Sequence, residues 1–234
     1  MGAEQKVAVI TGASQGIGAA LVEAYRGRNY RVVATARSVK QSNDDDLLVV
    51  PGDIADRRTA ERVISEGVTR FGRIDTLVNN AGIFIAKPFT QYTEADYAAV
   101  LGVNVTGFFH VTQLAVAEME KRASGHVVQI TTSLVDNADA RVPSVLASLS
   151  SLNAATKSLA IEYAKRGIRV NAVALGVIKT PMHREEEYEA LASLHPLGRM
   201  GEISDVVDAI LYLESAGFVT GEILHVDGGQ SAGH

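Results

Sequence analysis

Short apolar runs alternate along the chain with longer stretches whose apolar positions recur every three or four residues. The runs Val7–Thr11, Arg31–Thr35, Leu47–Val50, Thr76–Asn79, His126–Thr131, Arg169–Ala174 and Glu222–Val226 are rich in Val, Ile and Leu. They read as strands covered on both faces, because a strand with one wet face would alternate apolar and polar residues. Between them Ile17–Gly27, Arg57–Arg70, Glu94–Lys121, Leu146–Lys165 and Ile203–Ser215 carry the longer period of helices. Strand and helix in alternation predict an α/β fold, a doubly wound parallel sheet with helices on both faces. Ligands in such folds bind outside the carboxyl ends of the strands.

Composition narrows this picture. The 234 residues carry a net charge of −5, which disfavours a nucleic-acid or anionic-membrane surface. There is no cysteine, so disulfides, thiolate nucleophiles and Cys-ligated metals are excluded. Met1–Lys6 is polar and leads straight into a strand, and no window holds 18 uninterrupted apolar residues, so neither a targeting segment nor a membrane span is expected. A cytoplasmic location follows as an expectation. No repeat or Pro/Gly/Ser-rich linker divides the chain, and residues 1–234 read as one domain. The acidic runs Asp44–Asp46 and Glu185–Glu187 read as solvated surface. The six histidines show no paired helical spacing, and no catalytic metal is expected.

The first chemistry follows the first strand, in Thr11-Gly12-Ala13-Ser14-Gln15-Gly16-Ile17-Gly18. Glycines between a strand and a helix let the chain turn, let the backbone approach a pyrophosphate, and let helix and strand pack closely. The helix start adds free N–H groups and a positive dipole end, and Ser14 and Gln15 can add contacts. After the second strand comes Ala36-Arg37. A ribose 2′-hydroxyl calls for a carboxylate here; Arg37 instead suits a 2′-phosphate, which argues for NADP(H) over NAD(H). The alternative is an ordinary surface arginine.

Together with Asn79-Asn80-Ala81-Gly82, Val103-Asn104-Val105, Thr180-Pro181-Met182 and Val226-Asp227-Gly228-Gly229, these motifs resemble those of the short-chain dehydrogenase/reductase family of compact single-domain type, from about Val7 to Gly229. The resemblance implies a Rossmann-type fold and a dinucleotide-binding domain throughout. It implies that Asp53 accepts from the adenine amino group with the Ile54 backbone beside it. Asn80, Ala81 and Gly82 would line the ribose and the path to the nicotinamide, and Ile178 and Thr180 would hold its carboxamide.

The family places a Tyr, a Lys four residues later, a Ser thirteen residues before the Tyr, and an Asn on the preceding helix. Here Thr132 or Ser133 stands at the Ser, and Asn104 at the Asn. Counting forward from Thr132, and back from the Leu152–Ala160 run, gives Val145 for the Tyr and Leu149 for the Lys. Neither can ionise. Tyr163 stands about 27 Å further along a helix and Lys157 about 12 Å beyond the Lys position, so neither substitutes. Candidate replacement donors are His183, Asp136, Asp139 or a water held by Ser148. A second departure is Leu175-Gly176 where the family has Pro-Gly, and a looser loop is expected there.

Two functions stand open at this point. One is an NADP(H)-dependent oxidoreductase acting on a small or medium carbonyl or alcohol, with an atypical or impaired proton donor. The other is a non-catalytic NADP(H)-binding protein, a sensor or oligomer subunit. A dehalogenase or lyase on this fold is weaker, since such dehalogenases abandon the glycine-rich loop and Gly12, Gly16 and Gly18 are all present. The short segment 181–199, with His183, Tyr188, Leu191, Leu194 and His195, reads as a substrate lid. The small residues of Ala147–Ala164 suit close helix pairing, and the resemblance implies a homotetramer or a dimer.

Overall fold

Every strand hydrogen-bonds to its neighbours in parallel, so each crossover must run over a face of the sheet. The computed structural model describes residues 4–136 and 147–233, with 147–150 as backbone only. The strands are β1 (Val7–Thr11), β2 (Arg31–Thr35), β3 (Leu47–Val49), β4 (Thr76–Asn79), β5 (Gly125–Thr132), β6 (Ile168–Leu175) and β7 (Ile223–Val226), in the order β3-β2-β1-β4-β5-β6-β7. The chain winds outward from β1 in one direction and restarts at β4 in the other. The switch point therefore lies between β1 and β4, where their carboxyl ends open a crevice.

The helices are α1 (Gly16–Gly27), α2 (Arg57–Phe71), α3 (Glu94–Leu101), α4 (Phe108–Glu120), α5 (Ala147–Tyr163), α6 (Tyr188–Ala192) and α7 (Ile203–Ser215). The period of two along β1 divides the core. Val7 and Val9 meet Ala60, Val63 and Ile64 of α2 and Val111 and Ala115 of α4, while Ala8 and Ile10 meet Leu21 and Tyr25 of α1 and Val206 and Ile210 of α7. The expected doubly wound fold is what forms. The helix expected from Leu146 begins, within the described residues, at Ala147.

The helix predicted over Glu94–Lys121 differs in one respect. Its middle, Gly102–Gly107, is a π turn joining α3 to α4. Within that turn both ends of the Asn104 amide bond the backbone of Ile83, its Oδ1 accepting from Ile83 N at 2.9 Å and its Nδ2 donating to Ile83 O at 3.0 Å. At Gly107 a Cβ would stand 2.8 Å from Ile54, so the absence of a side chain lets this helix close on the loop after β3. The whole stretch Glu94–Glu120 is long and apolar enough to cross a membrane by length and composition. Its apolar residues Val100, Val111, Ala115, Val116 and Met119 are buried in the fold.

The Asp44–Asp46 run is on the surface, with Arg26 bonded to Asp44 at 3.1 Å and Arg31 to Asp46 at 3.3 Å. At the amino ends of β4 and β5, opposite the crevice, Glu214 of α7 is buried to 8% side-chain exposure. Its carboxylate accepts from Tyr30 Oη at 2.9 Å, Tyr25 Oη at 3.2 Å, Thr76 Oγ1 at 3.0 Å and His126 Nδ1 at 3.0 Å. His126 Nε2 faces the Asn171 amide nitrogen at 3.1 Å, so one ring nitrogen donates and the other accepts. That is the neutral ring, in keeping with burial, which holds this imidazole below its usual range.

Candidate active site

Three glycines shape the crevice floor. Gly12 and Gly16 have φ of +66° and +55°, the left-handed region that side chains rarely enter. Gly18 has ordinary φ but no room: a Cβ there would stand 2.2 Å from Gly12 O and 2.6 Å from Asn80 Nδ2. Gln15 at the start of α1 makes no side-chain cap, which leaves the first N–H groups of the helix open to an anion. Ser14 and Gln15 are exposed at the same mouth. Thr180 and Pro181 face Gly16 across the crevice, 3.6–3.7 Å from where its Cβ would be.

The loop is held by a staple between β1 and β4. Thr11 Oγ1 accepts from the backbone N–H of Asn80 and Ala81 at 3.0 and 2.9 Å. The Asn80 amide returns the bond, donating to Thr11 O at 2.9 Å and Gly12 O at 3.1 Å. The Asn80 side chain therefore positions the glycine loop, and only its backbone, with Ala81 and Gly82, is left to line the crevice. Thr11 is a residue whose role the motif alone did not disclose.

On the β2 side, Arg37 is exposed just past the strand end, and no hydrogen bond or ion pair engages it among the described residues. Asp53 is exposed and Ile54 buried beside it. One Asp53 oxygen accepts from Ala55 N at 3.0 Å, a turn bond that leaves the other oxygen open.

Over β5 and β6 the hydroxyls divide. Ser133 is fully buried, its one hydroxyl proton facing two acceptors, Gln230 Oε1 at 2.9 Å and Leu175 O at 3.2 Å. Of the two hydroxyls expected at this position, that of Ser133 is therefore shut off from solvent. Thr132 is half-buried, its Oγ1 donating to Leu175 O at 3.2 Å and accepting from Leu134 N at 3.3 Å. If Thr132 turns its proton to a ligand, the Ser133 hydroxyl can cover Leu175 O in its place only by leaving Gln230 Oε1. Asn104 is 3% exposed and commits its amide to Ile83, close to where a Gly82 Cβ would be at 3.5 Å.

The loop after β6 is not slack. Gly176 N bonds Val226 O at 3.1 Å, Val177 N bonds His195 Nε2 at 2.9 Å, and Lys179 N bonds Gly201 O at 2.9 Å. The restraint expected from a proline comes from these tertiary bonds instead. Ile178 is buried in this loop and bridges Gly201, while Thr180 Oγ1 accepts from Met182 N at 3.4 Å. Nothing local in the sequence marks His195, a residue of the 181–199 segment, or Gln230 as a partner of these loops.

Of the replacement donors, Asp136 is occupied by His225 at 2.9 Å. Burial holds the His183 imidazole below its ordinary range against the opposing Glu187 charge, leaving it neutral near pH 7. Asp139 and Val145 lie outside the described residues, as do the side chains of Ser148 and Leu149. Among the described residues no cluster of His, Asp and Glu is placed to hold a metal ion.

A glycine cradle at a helix start, at the switch point of a parallel sheet, defines a dinucleotide-binding α/β protein. The family model described as enoyl-(acyl carrier protein) reductase matches residues 12–231. The 3-oxoacyl-[acyl-carrier-protein] reductase FabG of Thermotoga maritima is 36% identical over 97% of this chain and 98% of its own. The (2S)-[(R)-hydroxy(phenyl)methyl]succinyl-CoA dehydrogenase subunit BbsD of Thauera aromatica is 33% identical over 99% and 98%. Among solved structures, ElxO with NADP bound superposes with a TM-score of 0.90 at 28% identity, covering 98% of this chain and 100% of that one. A tyrosine-to-phenylalanine variant of ElxO with NADPH bound gives 0.89 at 29%, with the same coverage. The chain belongs to the short-chain dehydrogenase/reductase family and is an oxidoreductase of that type, a family that binds NAD or NADP.

Proposed function

We propose that the protein is an NADP(H)-dependent reductase or dehydrogenase of a small or medium carbonyl/alcohol pair, within one domain whose segment 181–199 closes over the substrate. The observation that carries the cofactor is the unengaged Arg37 at the end of β2, on the adenosine side of a glycine cradle with no room for a side chain. The residues present fit the group: the first turn of α1 takes the pyrophosphate, Arg37 the 2′-phosphate, Asp53 the adenine amino group, and the 176–180 loop the nicotinamide. When bound, the cofactor supplies or takes the hydride.

Thr132 is the hydroxyl left to hydrogen-bond the substrate oxygen as charge develops there, and Asn104 positions the Ile83 backbone. Val145 and Leu149, at the positions of the family's Tyr and Lys, offer no ionisable group, so the proton donor is atypical. General acid catalysis contributes about 10²–10⁴-fold, so its weakening lowers the rate without removing the chemistry. The relatives named as a 3-oxoacyl reductase and an acyl-CoA dehydrogenase subunit support a 3-oxoacyl or 3-hydroxyacyl thioester as the first substrate class to try. The exposed Phe109 and Ile161 on α4 and α5 support self-association into a dimer or tetramer.

Fluorescence titration with NADPH and NADH tests the cofactor assignment. NADPH binds more tightly, and Arg37→Ala weakens NADPH about 10–100-fold, the worth of charge-assisted hydrogen bonds, while NADH changes less than about threefold. Equal losses for both would remove Arg37 from the 2′-phosphate. Slow NADPH oxidation on adding 3-oxoacyl thioesters, lowered further in Thr132→Val, supports turnover. Binding with no oxidation across a panel of carbonyls would argue for a non-catalytic role.

A further inference from the structure

His195 lies in the lid segment, eighteen residues past Val177 of the loop that follows β6, yet its ring sits between two glycines of other elements. A Cβ on Gly176 would stand 2.6 Å from its Nε2, and one on Gly228, where φ is +60°, would stand 3.1 Å from its Cβ. The residue is 4% exposed. Its Nε2 accepts the Val177 N–H at 2.9 Å, which fixes the proton on Nδ1, and Nδ1 meets no acceptor among the described residues. Packing alone does not call for a histidine here, since the ring buries an unpaired N–H that a phenylalanine would not. Its return is the one bond to Val177.

The position of Val177 matters because of where the loop runs. The adenosine half of a dinucleotide lies over β2 and β3, beside Arg37 and Asp53. The other half must then cross the switch point toward β5 and β6, where Thr132 and the 176–180 loop form the wall. Val177 O also accepts from Gly201 N at 3.0 Å, so the peptide units on both sides of Val177 are tied to the segment running from the lid to α7.

We propose that His195 is a positioning residue that fixes the Val177 backbone, and through it the loop receiving the nicotinamide half of the cofactor, so that lid and cofactor wall form one unit. This rests on the dinucleotide reading given above. The ring touches neither substrate nor the reacting atoms; it acts through the backbone it holds.

Two variants separate this role from packing. His195→Phe keeps the ring and removes the acceptor. His195→Gln returns an oxygen near the place of Nε2. Each is titrated with NADPH and with 2′-phospho-ADP-ribose, which lacks the nicotinamide, and amide exchange at Val177 is followed by NMR. The expected result for His195→Phe is about tenfold weaker NADPH, the effect of one buried hydrogen bond, with the fragment within about twofold of wild type. Val177 exchange is faster in that variant, and His195→Gln recovers both readings. If His195→Phe does not fold, His195→Ser, too short to reach Val177, takes its place. Equal losses for NADPH and fragment, or no difference between the Phe and Gln variants, would overturn the assignment. Wild-type protein that binds neither ligand overturns the dinucleotide reading instead, and this role with it.

Discussion

Gly18→Ala abolishes measurable NADPH binding, with an expected loss of at least about a hundredfold, or roughly 3 kcal/mol. The added Cβ would stand 2.2 Å from the backbone oxygen of Gly12, and a backbone atom cannot swing away as a side chain can. Either α1 moves off β1 or the loop between them opens, and both displace the N–H groups that face the pyrophosphate. The Asn80 amide, 2.6 Å from the same point, is pushed off Thr11 O and Gly12 O, so the staple fails with the loop. Gly27→Ala is the matched control. It sits at the end of the same helix with nothing within 4 Å of its Cβ, and it should bind NADPH normally and gain roughly 0.5–1 kcal/mol of stability. Fluorescence titration and urea unfolding read both effects, and normal binding by Gly18→Ala would refute the cradle.

Glu214→Leu costs about 3–5 kcal/mol of folding stability, read as a shift in the urea midpoint. The carboxylate gathers donors from α1, the α1–β2 turn, β4 and β5, and its removal leaves Tyr25, Tyr30, Thr76 and His126 without an acceptor in the interior. The site predicts a pH dependence. Burial pushes the Glu214 carboxyl up, but the hydrogen bonds from His126, Tyr30 and Thr76 outweigh it and hold the group below the 4.5 of a free glutamate. A depressed folded-state value stabilises the protein above pH 4.5. That stabilisation is lost as the pH falls below 4.5 and the carboxylate is protonated. Glu214→Gln should flatten the acid limb of the stability curve across this window. An unchanged limb would mean that other carboxylates carry it.

The glycine loop and the Glu214 cluster differ in how far the sequence discloses them. Gly12, Gly16 and Gly18 are close in the chain, between a strand and a helix, so the requirement on them is local and legible. Glu214 is one acid near the end of an amphipathic helix, and nothing nearby shows that its four donors come from 88 to 189 residues earlier. Thr132 and Ser133 show the same limit over a shorter range. Both hydroxyls reach Leu175 O, yet only Thr132 keeps partial exposure, and the sequence could not say which of the two would be buried. The partners of Ser133, Leu175 and Gln230, are 42 and 97 residues away.

The sequence by itself determined the strand and helix positions, the parallel doubly wound sheet, the phosphate loop and the basic residue at the end of β2. All of these follow from apolar periodicity and from glycine or charge at fixed short offsets, which operate within a few residues. Only the tertiary structure decided that Asn80 braces the loop, that Ser133 is held by Gln230 out of reach of solvent, that the loop after β6 is tight despite its missing proline, and that His195 grips Val177. Each of these is a hydrogen bond between groups far apart in the chain. The pairing depends on which strand ends the crossovers bring together, and no local pattern records it.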